Sequence, residues 1–236
     1  MDSLLQFAEG PIFRLALAIM LLGLVRHLLV LFIGMGHALY KAAVPVPPFG
    51  VPFSKLLKIT VKWMLPYSHL KNRMAYSIVS LIFHVGLLLV PLLLFAHIQL
   101  WQKGFGFGWP ALPNIWADVM TVAVVVTAVT LFVMRVADRD SRFLSRPQDY
   151  WLLWLLALPF ISGFLAAHPG MNPLSYTAMR LLHILSGELV LILMPFTKII
   201  HCVFYPMVHF ASNYAWRLAP DAGENVWKTL GKEGNV

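Results

Sequence analysis

Histidine supplies most of the chemistry available to this chain: it holds nine, beside a single cysteine, Cys202. One cysteine cannot close an internal disulfide, hold an iron–sulfur cluster by itself or complete the CxxCH attachment of a c-type haem. Four histidines fall inside long apolar runs: His84 and His97, 13 residues apart, and His183 and His201, 18 apart. An imidazole in hydrocarbon is costly unless it is paired or ligated. Two histidines on each of two facing helices, at two matched depths, meet the needs of two bis-histidine b-type haems. Haem iron takes one axial ligand from each side of a flat macrocycle, and facing helices can supply them. The bland alternative for each ring is a hydrogen bond between helices.

In a continuous helix, 18 residues return to the same face about 27 Å further along. His183 and His201 are therefore expected to look the same way. Thirteen residues leave His97 off the face of His84, and Pro91 between them is a place for a kink or bulge that changes the phase. His97 is the least secure of the four ligands on this ground. Gly86, two residues after His84, and Gly187, four after His183, are expected to leave room for a ring edge. Lys198 and Arg26 are candidate partners for haem propionates. His27 has three readings: a propionate contact, a structural bond or an alternative ligand. Glu188 is unusual inside an apolar run, and either relays protons or bonds across helices in its neutral form. His37, His69, His168 and His209 lie at or beyond the run ends and are read as interfacial.

The elements that must position these residues follow from composition. The chain has 236 residues, of which 59% are hydrophobic and 12% charged. That is too little charge to cover a globule, which excludes a disordered chain, a nucleic-acid-binding domain and an ordinary soluble enzyme. The expected class is an all-α integral membrane protein with a bundle of five transmembrane helices, since β-barrel alternation is absent. The spans are expected at about 11–36, 74–101, 115–137, 150–168 and 177–204, in one membrane domain over 1–216 with a tail at 217–236. The net charge of +8 is then a topology signal rather than a sign of a polyanion partner. Lys41, Lys55, Lys58, Lys62, Lys71 and Arg73 lie between the first two spans with no acid among them. Arg139, Arg142 and Arg146 join the third and fourth, and Arg217, Lys228 and Lys232 sit in the tail. The positive-inside rule puts the N-terminus outside and the C-terminus in the cytoplasm. The first span has no basic n-region and no A-x-A-like end, so it reads as a retained helix. After the proline-rich stretch Val44 to Pro52, residues 53–65 place Lys55, Lys58 and Lys62 on one face of a short interfacial helix. That helix either anchors to lipid or docks a cytoplasmic partner.

Leu181-Leu-His-Ile-Leu-Ser-Gly187, followed by Met194-Pro-Phe-Thr-Lys-Ile-Ile-His201, resembles the fifth helix of the respiratory nitrate reductase gamma subunit. Related membrane cytochromes accompany heterodisulfide-reductase-like and sulfite-reduction-associated complexes. Phe83-His-Val-Gly86 resembles the start of the group's second-helix motif. The longer second-helix spacing, with Pro91 inside it, looks more like the sulfur-metabolism branch. The resemblance implies five helices, an outside N-terminus and two haem b groups held by helices two and five. It further implies a quinone or quinol site by the outer haem, with Gln99, Gln102, Lys103 and Glu188 as polar candidates. A cytoplasmic iron–sulfur electron-transfer subunit would face the inner haem, and the chain would sit in a bacterial or archaeal cytoplasmic membrane. The alternatives left by the residues are a single-haem cytochrome and a haem-free anchor or proton-coupled transporter.

Overall fold

The structure is a computed structural model that describes residues 2–41, 53–64, 73–215 and 228. The expectations for Val44 to Pro52, His69, Lys71 and the tail at 217–236, Lys228 apart, fall outside the described residues. Among those described there is no strand. The helices are α1 (Asp2–Phe7), α2 (Phe13–Lys41), α3 (Phe53–Met64), α4 (Met74–Leu93), α5 (Phe95–Phe105), α6 (Asn114–Ala137), α7 (Arg139–Leu144), α8 (Pro147–Ala167), α9 (Tyr176–Leu193) and α10 (His201–Ala215). A π-helical turn, Ala8–Ile12, joins α1 to α2 and contains Pro11. Five helical segments are long and apolar enough to cross a membrane: Ser3–Ala38, Met74–Leu93, Asn114–Ala137, Pro147–Ala167 and Tyr176–Phe196. Their apolar side chains point outward as well as inward, with Leu22 70% and Ile33 68% exposed. Such surfaces need hydrocarbon as solvent. The chain is a multi-pass membrane protein.

Two of the five runs are not continuous helices. The second, expected over 74–101, stops at Leu94, whose backbone is extended at φ −72° and ψ 128°. The fifth, expected over 177–204, is interrupted by 3₁₀ turns at Met194–Phe196 and Lys198–Ile200, with Thr197 extended between them. Pro195 has no N–H for the carbonyl four residues back, and the Thr197 hydroxyl bonds to the Leu193 carbonyl at 2.8 Å. The same-face argument for His183 and His201 needs an unbroken helix, so it does not hold.

The chain divides into two compact units, Met1–Leu17 with Tyr67–Ile192 and Ala18–Pro66 with Leu193–Val236. In the first, α4, α6 and α8 form the core. Phe83 and Val90 of α4, Val124, Ala128 and Leu131 of α6, and Leu153, Ala157 and Phe160 of α8 form one buried cluster. The α6 residues recur at the spacing of one helix face, and the alanines let the backbones approach. Among the described residues, α9 makes no such dense backbone approach to this layer. At one end of the unit Arg73 pairs with Asp138 at 3.0 Å, while Arg135 reaches the Tyr76 hydroxyl at 3.3 Å and the Asp149 carbonyl. At the other, Arg180 pairs with Glu9, and His168 lies 3.5 Å from Asp118.

In the second unit α3 packs on α10 and buries Thr60, leaving Lys55, Lys58 and Lys62 exposed. The helix expected at 53–65 forms at Phe53–Met64. His27 donates from Nε2 to the Pro195 carbonyl at 3.0 Å. This is the structural bond among its three readings. One turn earlier, a Cβ on Gly23 would overlap the Pro195 ring.

Candidate functional site: paired imidazoles at a helix break

A helix that stops leaves its last carbonyls without partners. At Leu94 each one is accounted for. The Val90 carbonyl takes the Leu94 N–H at 3.0 Å, Pro91 takes His97 Nδ1 at 3.0 Å, Leu92 takes Trp109 Nε1 at 2.7 Å and Leu93 takes the Leu112 N–H at 2.8 Å. α5 then restarts, with the Leu94 carbonyl accepting from both His97 and Ile98. The break removes the continuous-helix phase that set His97 off from His84, and it turns the His97 ring towards α9.

There it meets His183. The two ring centres are 5.9 Å apart and their planes differ by 5°. His183 donates from Nδ1 to the Pro159 carbonyl of α8 at 2.8 Å. Its ring lies over Gly163, one turn after Pro159, where a Cβ would stand 2.8 Å from Cε1 and 2.9 Å from Nδ1. No side chain larger than hydrogen fits beneath this imidazole.

These bonds determine the tautomers. A carbonyl only accepts, so each Nδ1 carries its proton and each neutral ring presents a lone pair at Nε2. Neither ring has an N–H left for the other, so the pair is not a histidine–histidine hydrogen bond. What two such rings can share is a Lewis acid, or a water that donates to both lone pairs. Two imidazoles on opposite sides of one metal, with metal–nitrogen bonds of about 2.0–2.1 Å, have centres roughly 6 Å apart. Backbone carbonyls on the remaining nitrogens are the usual means of orienting such ligands. The centre spacing and the small interplanar angle are those such a pair would have, so His97 and His183 would be the residues to hold a metal here. Among the described residues no group of three or more His, Cys, Asp or Glu gathers; haem iron asks for only two protein ligands.

The other two candidates show the same chemistry locally. His84 donates from Nδ1 to the Ser80 carbonyl at 2.7 Å, and His201 from Nδ1 to the Lys198 carbonyl. Both therefore also carry the Nδ1 proton, so a neutral ring has its lone pair at Nε2. They belong to different compact units.

A Cβ on Gly86 would collide with Val124 of α6, so its missing side chain serves helix packing. Gly187 has nothing within 4 Å of a Cβ position. Arg26 and Lys198 are exposed. Gln99, Gln102 and Lys103 are exposed on α5, roughly 200°, 140° and 240° around the helix from His97. Glu188 is buried at 3% exposure, and neither carboxylate oxygen has a hydrogen-bond partner among the described residues. No hydrogen bond or ion pair joins these four polar residues to one another among the described residues. The residues that sequence reasoning missed are Pro159, Gly163 and Trp109. A signal for the first two was present: a Pro-x3-Gly spacing puts an acceptor and a gap on one helix face.

A protein of Nitratidesulfovibrio vulgaris (strain Hildenborough), named only "Protein", is 32% identical over 204 residues, spanning 85% of this chain and 88% of its own. No family model matches the chain, and no solved structure matches it.

Proposed function

The chain belongs to one family with the Nitratidesulfovibrio vulgaris protein, and we propose that this membrane protein is a dihaem b-type cytochrome, the quinone-reactive subunit of a membrane-bound respiratory oxidoreductase. The observation that carries the reading is the near-parallel pair His97 and His183, with ring centres 5.9 Å apart and both Nδ1 atoms on proline carbonyls. His97 and His183 would hold the outer haem, and His84 and His201 are the candidates to hold the inner one. When bound, the two haems supply one-electron transfer across the membrane. The chain's own part is to bind and orient. The Pro91 and Pro159 carbonyls hold the outer rings, Ser80 and Lys198 hold the inner ones, and Gly163 leaves the His183 ring its place.

In this reading the N-terminus is outside, on the charge distribution of the loops, and the membrane is a bacterial or archaeal cytoplasmic membrane. A quinone or quinol exchanges electrons near the outer pair, with Gln99, Gln102, Lys103 and Glu188 as its polar surroundings. An iron–sulfur electron-transfer subunit docks on the cytoplasmic side, where Lys55, Lys58 and Lys62 are exposed. The likeness of the span-two and span-five motifs to the nitrate reductase gamma subunit supports the assignment.

The test is a reduced-minus-oxidised visible spectrum of the purified protein with pyridine haemochrome stoichiometry. Two b-type haems per chain are expected. A spectrum with no b-type α-band refutes the reading, and one haem per chain removes the second site. The competing reading, a haem-free anchor or proton-coupled transporter, draws on Glu188, whose buried carboxyl has no hydrogen-bond partner among the described residues. The same spectrum decides between them.

A further inference from the structure

The break at Leu94 is closed from outside the helix. Gly106, in the left-handed region at φ 80°, ends α5 and turns the chain back. Gly108 then lies against Ile98, where a Cβ would stand 3.2 Å from the Ile98 methyl. Next, Trp109 gives its indole N–H to the Leu92 carbonyl at 2.7 Å, and Leu112 gives its amide to Leu93 at 2.8 Å. Trp109 also packs against Trp101, with ring centres 6.1 Å apart. Trp101 follows His97 by four residues, so the two share a face of α5.

Trp109 therefore holds both sides of the break. Its N–H grips the last turn of α4, and its ring bears on the turn of α5 that carries His97. We propose that Trp109 is a positioning residue for the outer ligand pair: it sets the angle between α4 and α5, and through that angle the plane of the His97 ring. This rests on reading His97 and His183 as a haem pair. An aromatic residue that only anchored the chain at the membrane surface would not need its N–H on a helix carbonyl.

The experiment is Trp109→Phe in the intact, purified protein, which keeps an aromatic ring and removes the donor. The first readout is the ferric low-spin electron paramagnetic resonance spectrum. Near-parallel axial imidazole planes give a rhombic signal, and twisting them apart moves the largest g value upward. The wild type is expected to show the rhombic form for one haem. The variant should shift that signal to larger g while the other haem's signal stays in place. The second readout needs no haem: amide hydrogen exchange over residues 94–101 should become about tenfold faster, as for the loss of one helix-end hydrogen bond. Spectra and exchange that superimpose on the wild type overturn the proposal. A wild type without haem overturns the functional reading instead, and the exchange rates then decide alone whether Trp109 sets α5.

Discussion

On the proposed function, Gly163→Ala is the substitution that the His97–His183 pair should feel most. The added Cβ would stand 2.8 Å from His183 Cε1 and 2.9 Å from Nδ1. Carbon contacts relax to about 3.5 Å, so the ring has to retreat by roughly 0.6–0.7 Å. Retreat from Gly163 is also retreat from Pro159 one turn earlier. The Nδ1 bond, 2.8 Å in the wild type, then stretches to about 3.5 Å, beyond a useful hydrogen bond. Overpacking together with the lost bond costs about 1–3 kcal/mol. Replacing glycine in a helix interior returns about 0.5–1 kcal/mol, so a net destabilisation of about 0–2.5 kcal/mol remains. The larger effect falls on ligation, because removing the group that orients a ligating imidazole typically weakens binding about 10–100-fold. Haem retained per chain on dilution in detergent, by pyridine haemochrome, is the assay. Gly163→Ala should lose one haem and keep the other. Gly187→Ala is the matched control: nothing lies within 4 Å of its Cβ, so it should keep both. If Gly163→Ala retains wild-type stoichiometry and midpoint potentials, the argument from ring position is wrong. A Gly187→Ala that loses haem restores the expectation that a ring edge needs the space there.

Gly86→Ala should lower the melting temperature of the bundle by pushing α4 off Val124, at about 1–3 kcal/mol, while haem stoichiometry stays at the wild-type value; haem loss without a stability change would return Gly86 to the ligand environment. His84→Ala and His201→Ala should delete the same haem in the visible spectrum, and loss of different haems would break their pairing. The Asp138 carboxyl is held below the usual carboxylate range chiefly by the Ser141 hydroxyl and amide, with Arg73 adding to this and burial opposing it. Its contribution to stability is present above the ordinary carboxylate range and is lost as pH falls through the lowered value. Asp138→Asn should thus flatten the acid limb of a helix-melting profile, and an unchanged limb would assign that acid sensitivity to other groups.

The spans were legible because an uncharged apolar run of about twenty residues has few other uses. The ends of the second and fifth runs were not, because both breaks are tertiary. Pro91 marks the weak turn, yet the helix stops three residues later, where partners 17 and 19 positions away, Trp109 and Leu112, take the freed carbonyls. Gly86 looked like a ligand's neighbour by adjacency alone, although two residues place it about 200° round the helix from His84. Gly163 was invisible for the opposite reason: it touches His183 only through packing from another span. The four histidines divide along the same line. His84 and His201 bond to carbonyls four and three residues back, so their own helical turns orient them. His97 reaches back six residues across a break, and His183 reaches a different helix 24 positions away. The outer pair, which by the proposed function meets the quinone, is held by a loop, a break and a glycine on three separate segments. Substitutions remote in sequence should alter that pair first.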